Sequence, residues 1–163
     1  MPPSTPLWTS LVDFHIEKSR LPVVVVTSTG DRLAGDLFVQ SSPRNPAELE
    51  TAPELLNSHE DYFPLGMPGG RALLCAKRHV REVRVPRALH GDGDWEFAVR
   101  AQVTVAVAGG MLLKGTILIE QEMAHQRVLD FLNRWSQRFL PVYTGDEVVL
   151  VNREYILLVE QVN

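Results

Sequence analysis

The chain has a single cysteine, Cys75, so no internal disulfide can form. Its flanks, Leu73-Leu74-Cys75-Ala76, read as a strand, and nothing nearby lowers the thiol pKa. A buried structural thiol is expected, not a nucleophile. Long apolar runs are missing too. A run such as Val23–Val26 falls far short of the roughly 20 residues that span a bilayer, so no membrane segment is expected. The start, Met1–Pro6, lacks the basic end and apolar run of a secretion signal, which makes the cytoplasm the expected compartment.

Positive charge is scarce. The net charge is −4, which disfavours a non-specific nucleic-acid binder, although a local basic patch is compatible with it. Lysine stands only at Lys18, Lys77 and Lys114; the preference for arginine fits a GC-rich bacterial genome and carries no mechanistic weight. The chain has no glycine-rich phosphate loop, nucleophile elbow or Cys/His cluster. The histidines, His15, His59, His79, His90 and His125, lack metal-ligand spacing. His59-Glu60-Asp61 reads as a solvated turn. His90-Gly91-Asp92-Gly93-Asp94 lacks the alternating ligands and terminal Glu of a calcium loop and reads as a linker. No metal, cofactor or enzymatic constellation is expected.

Apolar residues make up 45% of the chain and charged residues 22%, so a packed core is expected. The most informative feature is internal similarity. Val23–Val39 returns 80 residues later as Val103–Ile119, sharing V-x-V, then G-x-x-L-x-G, then alternating apolar residues. Leu56-Asn57 with Phe63 matches Leu132-Asn133 with Phe139 at an offset of 76, as Leu73–Val83 matches Val149–Val159. The change of offset places four extra residues between Gly35 and Leu56, where Ser41–Pro46 reads as a loop.

Each copy reads as strand, strand, short helix and three strands. In the second copy, Trp95, Phe97, Val99, Ala101, Val103, Val105 and Val107 alternate as in a half-buried strand. Gly109-Gly110 makes a tight turn, Leu112–Glu120 returns, and Gly115 marks a bulge or bend. Val128, Phe131, Leu132 and Trp135 form one helical face. In the first copy Thr51, Pro53 and Glu54 predict a capped helix start with a capping box. Strands follow at Phe139–Tyr143, Glu147–Val151 and Tyr155–Val162. The expected fold is mainly β with short helices. It comprises two tandem five-stranded small barrels, each with a helix between its second and third strands. Residues 1–21 form an N-terminal extension, 22–86 the first unit, 87–94 a linker and 95–163 the second unit. Leu7–Lys18 fits either a helix or a strand.

The G-x-x-L-x-G hairpins, the later Asn and the turn Asn152-Arg153-Glu154-Tyr155-Ile156 resemble the Sm/LSm (Hfq-like) small barrel. Gly110, Gly115, Asn133, Arg153 and Ile156 can be placed on its motifs, as can Gly30, Gly35, Asn57, Lys77 and Val80. The Arg-Gly pair of the second motif is absent, since Glu154 follows Arg153 and Arg78 follows Lys77, and each Asn comes after an inserted helix. The resemblance implies an N-terminal helix over Leu7–Lys18. It also implies base-holding sites at Asn57 with Lys77 and Arg78, and at Asn133 with Arg153. The plainer reading is that both Asn residues cap helix C-termini. Arg78, Arg81, Arg84 and Arg87 form the densest basic run; at that spacing they alternate faces, as on a solvated edge, with anion binding the sharper alternative. The expected function is a non-enzymatic interaction or assembly module that engages a protein partner, or copies of itself, through strand edges. The alternative is an RNA or nucleotide binder.

Overall fold

The computed structural model describes residues 19–91, 95, 98–119 and 127–162. The expectations for Leu7–Lys18 and Phe97 lie outside the described residues. Strand β1 (Ser19–Thr27) and β2 (Arg32–Val39) precede helix α1 (Ala52–Leu56), β3 (Tyr62–Gly66) and β4 (Ala72–Ala76). A 3₁₀ turn, Lys77–His79, leads into β5 (Val80–Pro86), and a helical turn α2 (Arg87–His90) follows. Then come β6 (Val99–Val107), β7 (Met111–Ile119), α3 (Val128–Arg134), β8 (Phe139–Tyr143) and β9 (Glu147–Asn152). A second 3₁₀ turn, Arg153–Tyr155, leads into β10 (Ile156–Gln161). The chain is mainly β with short helices, as expected.

Local chemistry explains several boundaries. Ala101, Val103, Val105 and Val107 are buried while their neighbours are not, as the alternation requires. Gly109 and Gly110 take φ of +102° and +88° in the β6–β7 turn, a region other residues enter only with strain. The Thr51 hydroxyl accepts from the Glu54 amide and caps α1. The capping box is only half made, because the Glu54 carboxylate turns to Ser42 (2.8 Å) and Arg44 (3.0 Å) in the preceding loop.

The ten strands form one antiparallel sheet in the order β10-β6-β7-β8-β9-β5-β1-β2-β3-β4. The pairings do not separate into two closed five-stranded sheets: β5 and β9 join the halves, with Glu82 opposite Val151 and Pro86 opposite Glu147. Strand order still reads the same on both sides of that seam, β5-β1-β2-β3-β4 and β10-β6-β7-β8-β9.

Two apolar clusters make the core. One combines Val25, Leu37, Leu56, Phe63 and Val83 with Phe139, Tyr143, Val148 and Leu150 from the second half. The other combines Val105, Ile117 and Phe131 with Leu140, Val142, Val149 and Val151. Successive residues of a strand point to opposite faces. Strands β8 and β9 therefore feed one core from each face, and residues 148–152 of β9 are all buried.

Strand registers refine the internal alignment. Phe63 faces Cys75 across β3–β4, whereas Phe139 faces Asn152 across β8–β9. Pairing thus matches Phe63 with Leu140, not with Phe139, and Tyr62 with Phe139. Set beside β3–β4, β8 has one more residue before it and the β8–β9 turn one fewer. The turn-closing bonds agree, Met67 N–H to Arg71 C=O and Thr144 N–H to Glu147 C=O, both 2.8 Å. Gly115 marks no bulge, since β6–β7 pairing continues through it. It is needed for close approach: a Cβ there would lie 2.5 Å from the Tyr143 carbonyl oxygen. At Gly35 a Cβ would lie 2.6 Å from the Gly66 carbonyl oxygen, the matching contact in the first half.

Candidate interaction site

Four of the expected site residues, Asn57, Lys77, Arg78 and Arg81, lie at the seam between the halves. Asn57 is the C-cap of α1, as the plainer reading has it. Its side chain also reaches β8: Oδ1 accepts from the Phe139 amide at 2.8 Å, and Nδ2 donates to the Phe139 carbonyl at 3.1 Å. The carboxamide therefore pairs with a buried peptide as a strand would. Asn133 does not cap; it lies inside α3, whose C-cap is Trp135, and is exposed.

Lys77 is almost wholly buried. Its ammonium donates to the Ser58 carbonyl and hydroxyl, each at 3.1 Å. Burial lowers its pKa, with Arg138 lowering it further and Glu60 and Asp61 acting in opposition. The Lys77 carbonyl accepts from Asn152 Nδ2, whose second bond goes to the Val80 carbonyl. Arg78 projects into solvent while its carbonyl accepts from the Tyr155 hydroxyl at 3.0 Å.

The basic run is not a solvated edge, because β5 lies inside the sheet between β1 and β9. Nor do Arg81 and Arg84 diverge. The β1–β5 register shifts at Val26/Thr27, so Arg81 is a bulge residue. A bulge resets the alternation of faces, and both guanidinium groups reach the fully buried Glu82. Arg81 Nε donates to Glu82 Oε1 at 3.1 Å, and Arg84 Nε lies 2.6 Å from Oε2 without hydrogen-bond alignment. Arg81 also contacts the Ala108 carbonyl, and Arg84 pairs with Glu147 at 3.0 Å. Arg87 bonds the Thr144 carbonyl and lies over the Trp95 ring.

Arg153 donates to the Trp135 carbonyl at 2.9 Å. It shares the rim of an open hollow of about 430 Å³ with Asn133; Leu132, Leu140, Ile156 and Val159 contribute apolar walls. The indole N–H of Trp135 is buried there without a hydrogen-bond partner among the described residues. A smaller hollow, about 210 Å³, lies between Asp61, Tyr62, Arg78 and Arg138. The structure therefore brings Asn57, Lys77, Arg78 and Arg81 to the seam and leaves Asn133 and Arg153 together on the surface.

Sequence reasoning missed Glu82 and Asn152. A charged or amide side chain inside an apolar alternating run was the available signal for each. The two free edges expected of the tandem are β4 and β10. Among the described residues, β4 pairs only with β3, and β10 only with β6. Leu74 on β4 and Leu158 on β10 are 74% and 72% exposed. Among the described residues no group of side chains could hold a metal ion, and no helix is long and apolar enough to cross a membrane. Comparison with protein-family models, curated proteins and solved structures finds no match.

Proposed function

We propose that the chain is a non-enzymatic assembly module built from two fused Sm-like units, and that it associates through the edges β4 and β10. The matching strand orders support the internal duplication. So do the glycine contacts and the bulges: the β10–β6 register shifts between Ile156 and Leu158, as the β5–β1 register does between Val80 and Glu82. The single observation that carries the assembly reading is the β5–β9 pairing. Within one chain, the last strand of the first unit docks on the fourth strand of the second. The corresponding strands at the outer ends, β10 and β4, have no strand on their outer side among the described residues. An exposed apolar edge is a template for another strand. Repeated head-to-tail pairing gives a closed ring or an open filament.

Light scattering coupled to size exclusion tests this. A mass that is a multiple of the 18.3 kDa chain is expected. A strict monomer at high micromolar concentration overturns it.

The RNA reading keeps one specific support, the exposed Arg78 beside Arg138 and Tyr62. Cations beside an exposed aromatic ring suit a single-stranded base. Lys77 and Arg81, however, are engaged inside the fold. Salt-sensitive binding of single-stranded RNA, lost in Arg78→Ala, would promote this reading, and no binding at low salt retires it.

A further inference from the structure

The seam inside the chain shows what each edge lacks. Phe139, whose N–H and C=O Asn57 grips, belongs to the core cluster that holds Leu56, Phe63, Val80 and Val83. In the second half the corresponding positions are Asn133, Leu132, Leu140, Ile156 and Val159. These line the open hollow. The position corresponding to Phe139 is Tyr62, which is 54% exposed on β3. The position corresponding to Leu150, buried in the first core, is Leu74 on the β4 edge. The second core thus lacks side chains that the second half supplies to the first, and the first half carries the counterparts of Phe139, Val148 and Leu150 exposed, as Tyr62, Ala72 and Leu74, while that of Tyr143 is the buried Gly66.

Charge follows the same logic with its sign exchanged. Arg84 and Glu147 pair across the internal seam. Pairing registers match Arg84 with Glu160, since Val24 faces Arg84 and Thr104 faces Glu160. The turn-closing bonds match Glu147 with Arg71. Glu160 is the only charged residue in β10; β4 has none, and Arg71 directly precedes it. Both side chains are exposed.

We infer that β10 and the hollow behind it receive the β4 edge of a second copy of this chain, with Tyr62 and Leu74 entering the hollow and Arg71 facing Glu160. This rests on the assembly reading and names its interface. The register is that of the internal seam: Leu158 opposite Cys75, Glu160 opposite Leu73 and Val162 opposite Arg71. Asn133 bonds the Tyr62 peptide as Asn57 bonds that of Phe139. The exchanged charges select this pairing. A β4 edge placed on β5 would set Arg71 against Arg84, and a β9 strand placed on β10 would set Glu147 against Glu160. Like charges at an interface suppress the wrong partner more effectively than opposite charges strengthen the right one.

The test compares the full-length wild type with Arg71→Glu, Glu160→Arg and the double variant, by sedimentation over a concentration series. Each single variant is expected to associate at least about tenfold more weakly. The double variant restores association, and an equimolar mixture of the single variants forms a mixed complex. Both residues are exposed, so thermal unfolding measured at a concentration where every variant is monomeric stays at the wild-type value. Tyr62→Ser, which alters no charge, weakens association independently. A wild type that remains monomeric removes the assembly reading itself. A wild type that associates, with single variants equally tight or a double variant left dissociated, overturns this interface and leaves the assembly reading in place. Unchanged association of Tyr62→Ser overturns the seating in the hollow.

Discussion

Glu82 has no contact with solvent, and its charge is balanced only because Arg81 and Arg84 both reach it. Taking one partner from such a cluster strands buried charge, which costs more than the cluster itself contributes. Glu82→Ala is expected to lower the urea unfolding free energy by about 3 kcal/mol; a change below the measurement error would mean that the arginines find water instead. Lys77 gives the molecule a pH signature. Its folded pKa is lowered, chiefly by burial, below the ordinary 10.5. Between the folded value and 10.5 the unfolded chain binds more protons than the folded one, so stability rises with pH across that window. Below the window the full cost of burying the ammonium persists. Lys77→Met removes that contribution, so its stability should rise less with pH than the wild type's over the same range in buffered urea titrations, with the half-buried Cys75 thiol, whose pKa is raised by burial, pulling the other way in both proteins. An identical slope in both proteins would assign the effect elsewhere. Neither role was legible in the sequence. Lys77 and Arg81 looked like surface cations because nothing local states which way a bulge turns a side chain, or that Ser58 lies within reach of an ammonium.

Elements were more legible than the contacts between them. The Thr51 cap and the apolar face of α3 are local patterns that form as expected, and the alternation holds from Val99 to Val107, whereas Trp95 lies before the strand in a turn. The bulge offered for Gly115 does not form, and the reason for a glycine there is non-local: a Cβ would meet the Tyr143 carbonyl. Gly115→Ala is expected to cost about 1–3 kcal/mol through forced separation of β7 and β8. Gly145→Ala, with nothing within 4 Å of the added Cβ, is the matched control and should stay close to wild type. Asn57 joins elements differently. Its carboxamide satisfies both the N–H and the C=O of buried Phe139. Asn57→Ala leaves two buried peptide groups without partners and should cost about 2 kcal/mol by urea denaturation. Asn57→Asp keeps the acceptor and should recover part of that loss. If both variants match wild type, the seam does not depend on this residue.

At the scale of the whole molecule, one of the two cores is built from both halves of the chain. Sequence similarity suggests that each copy encloses its own interior, because each carries a full set of alternating strands. The core distribution says otherwise. Phe139, Tyr143, Val148 and Leu150 complete the first cluster, and β9 supplies alternate residues to both. A fragment ending at Gly91 would keep β1 to β5 but lose those four side chains and the strand that covers β5. Fully burying an apolar side chain of that size is worth about 1.5–3 kcal/mol. Losing four exceeds much of the 5–15 kcal/mol that holds a typical domain together. The fragment 1–91 is therefore expected to show no cooperative urea transition, and the intact chain a single one, coincident by circular dichroism and hydrogen exchange. Two separate transitions in the intact chain would show that the halves fold independently. In that case β5–β9 would be a docking contact, not part of a shared core. The same dependence bears on the open end. The first core is closed by strands supplied from outside its own half, whereas the second keeps an exposed hollow that no strand within the described chain covers, and that asymmetry supports the proposed pairing.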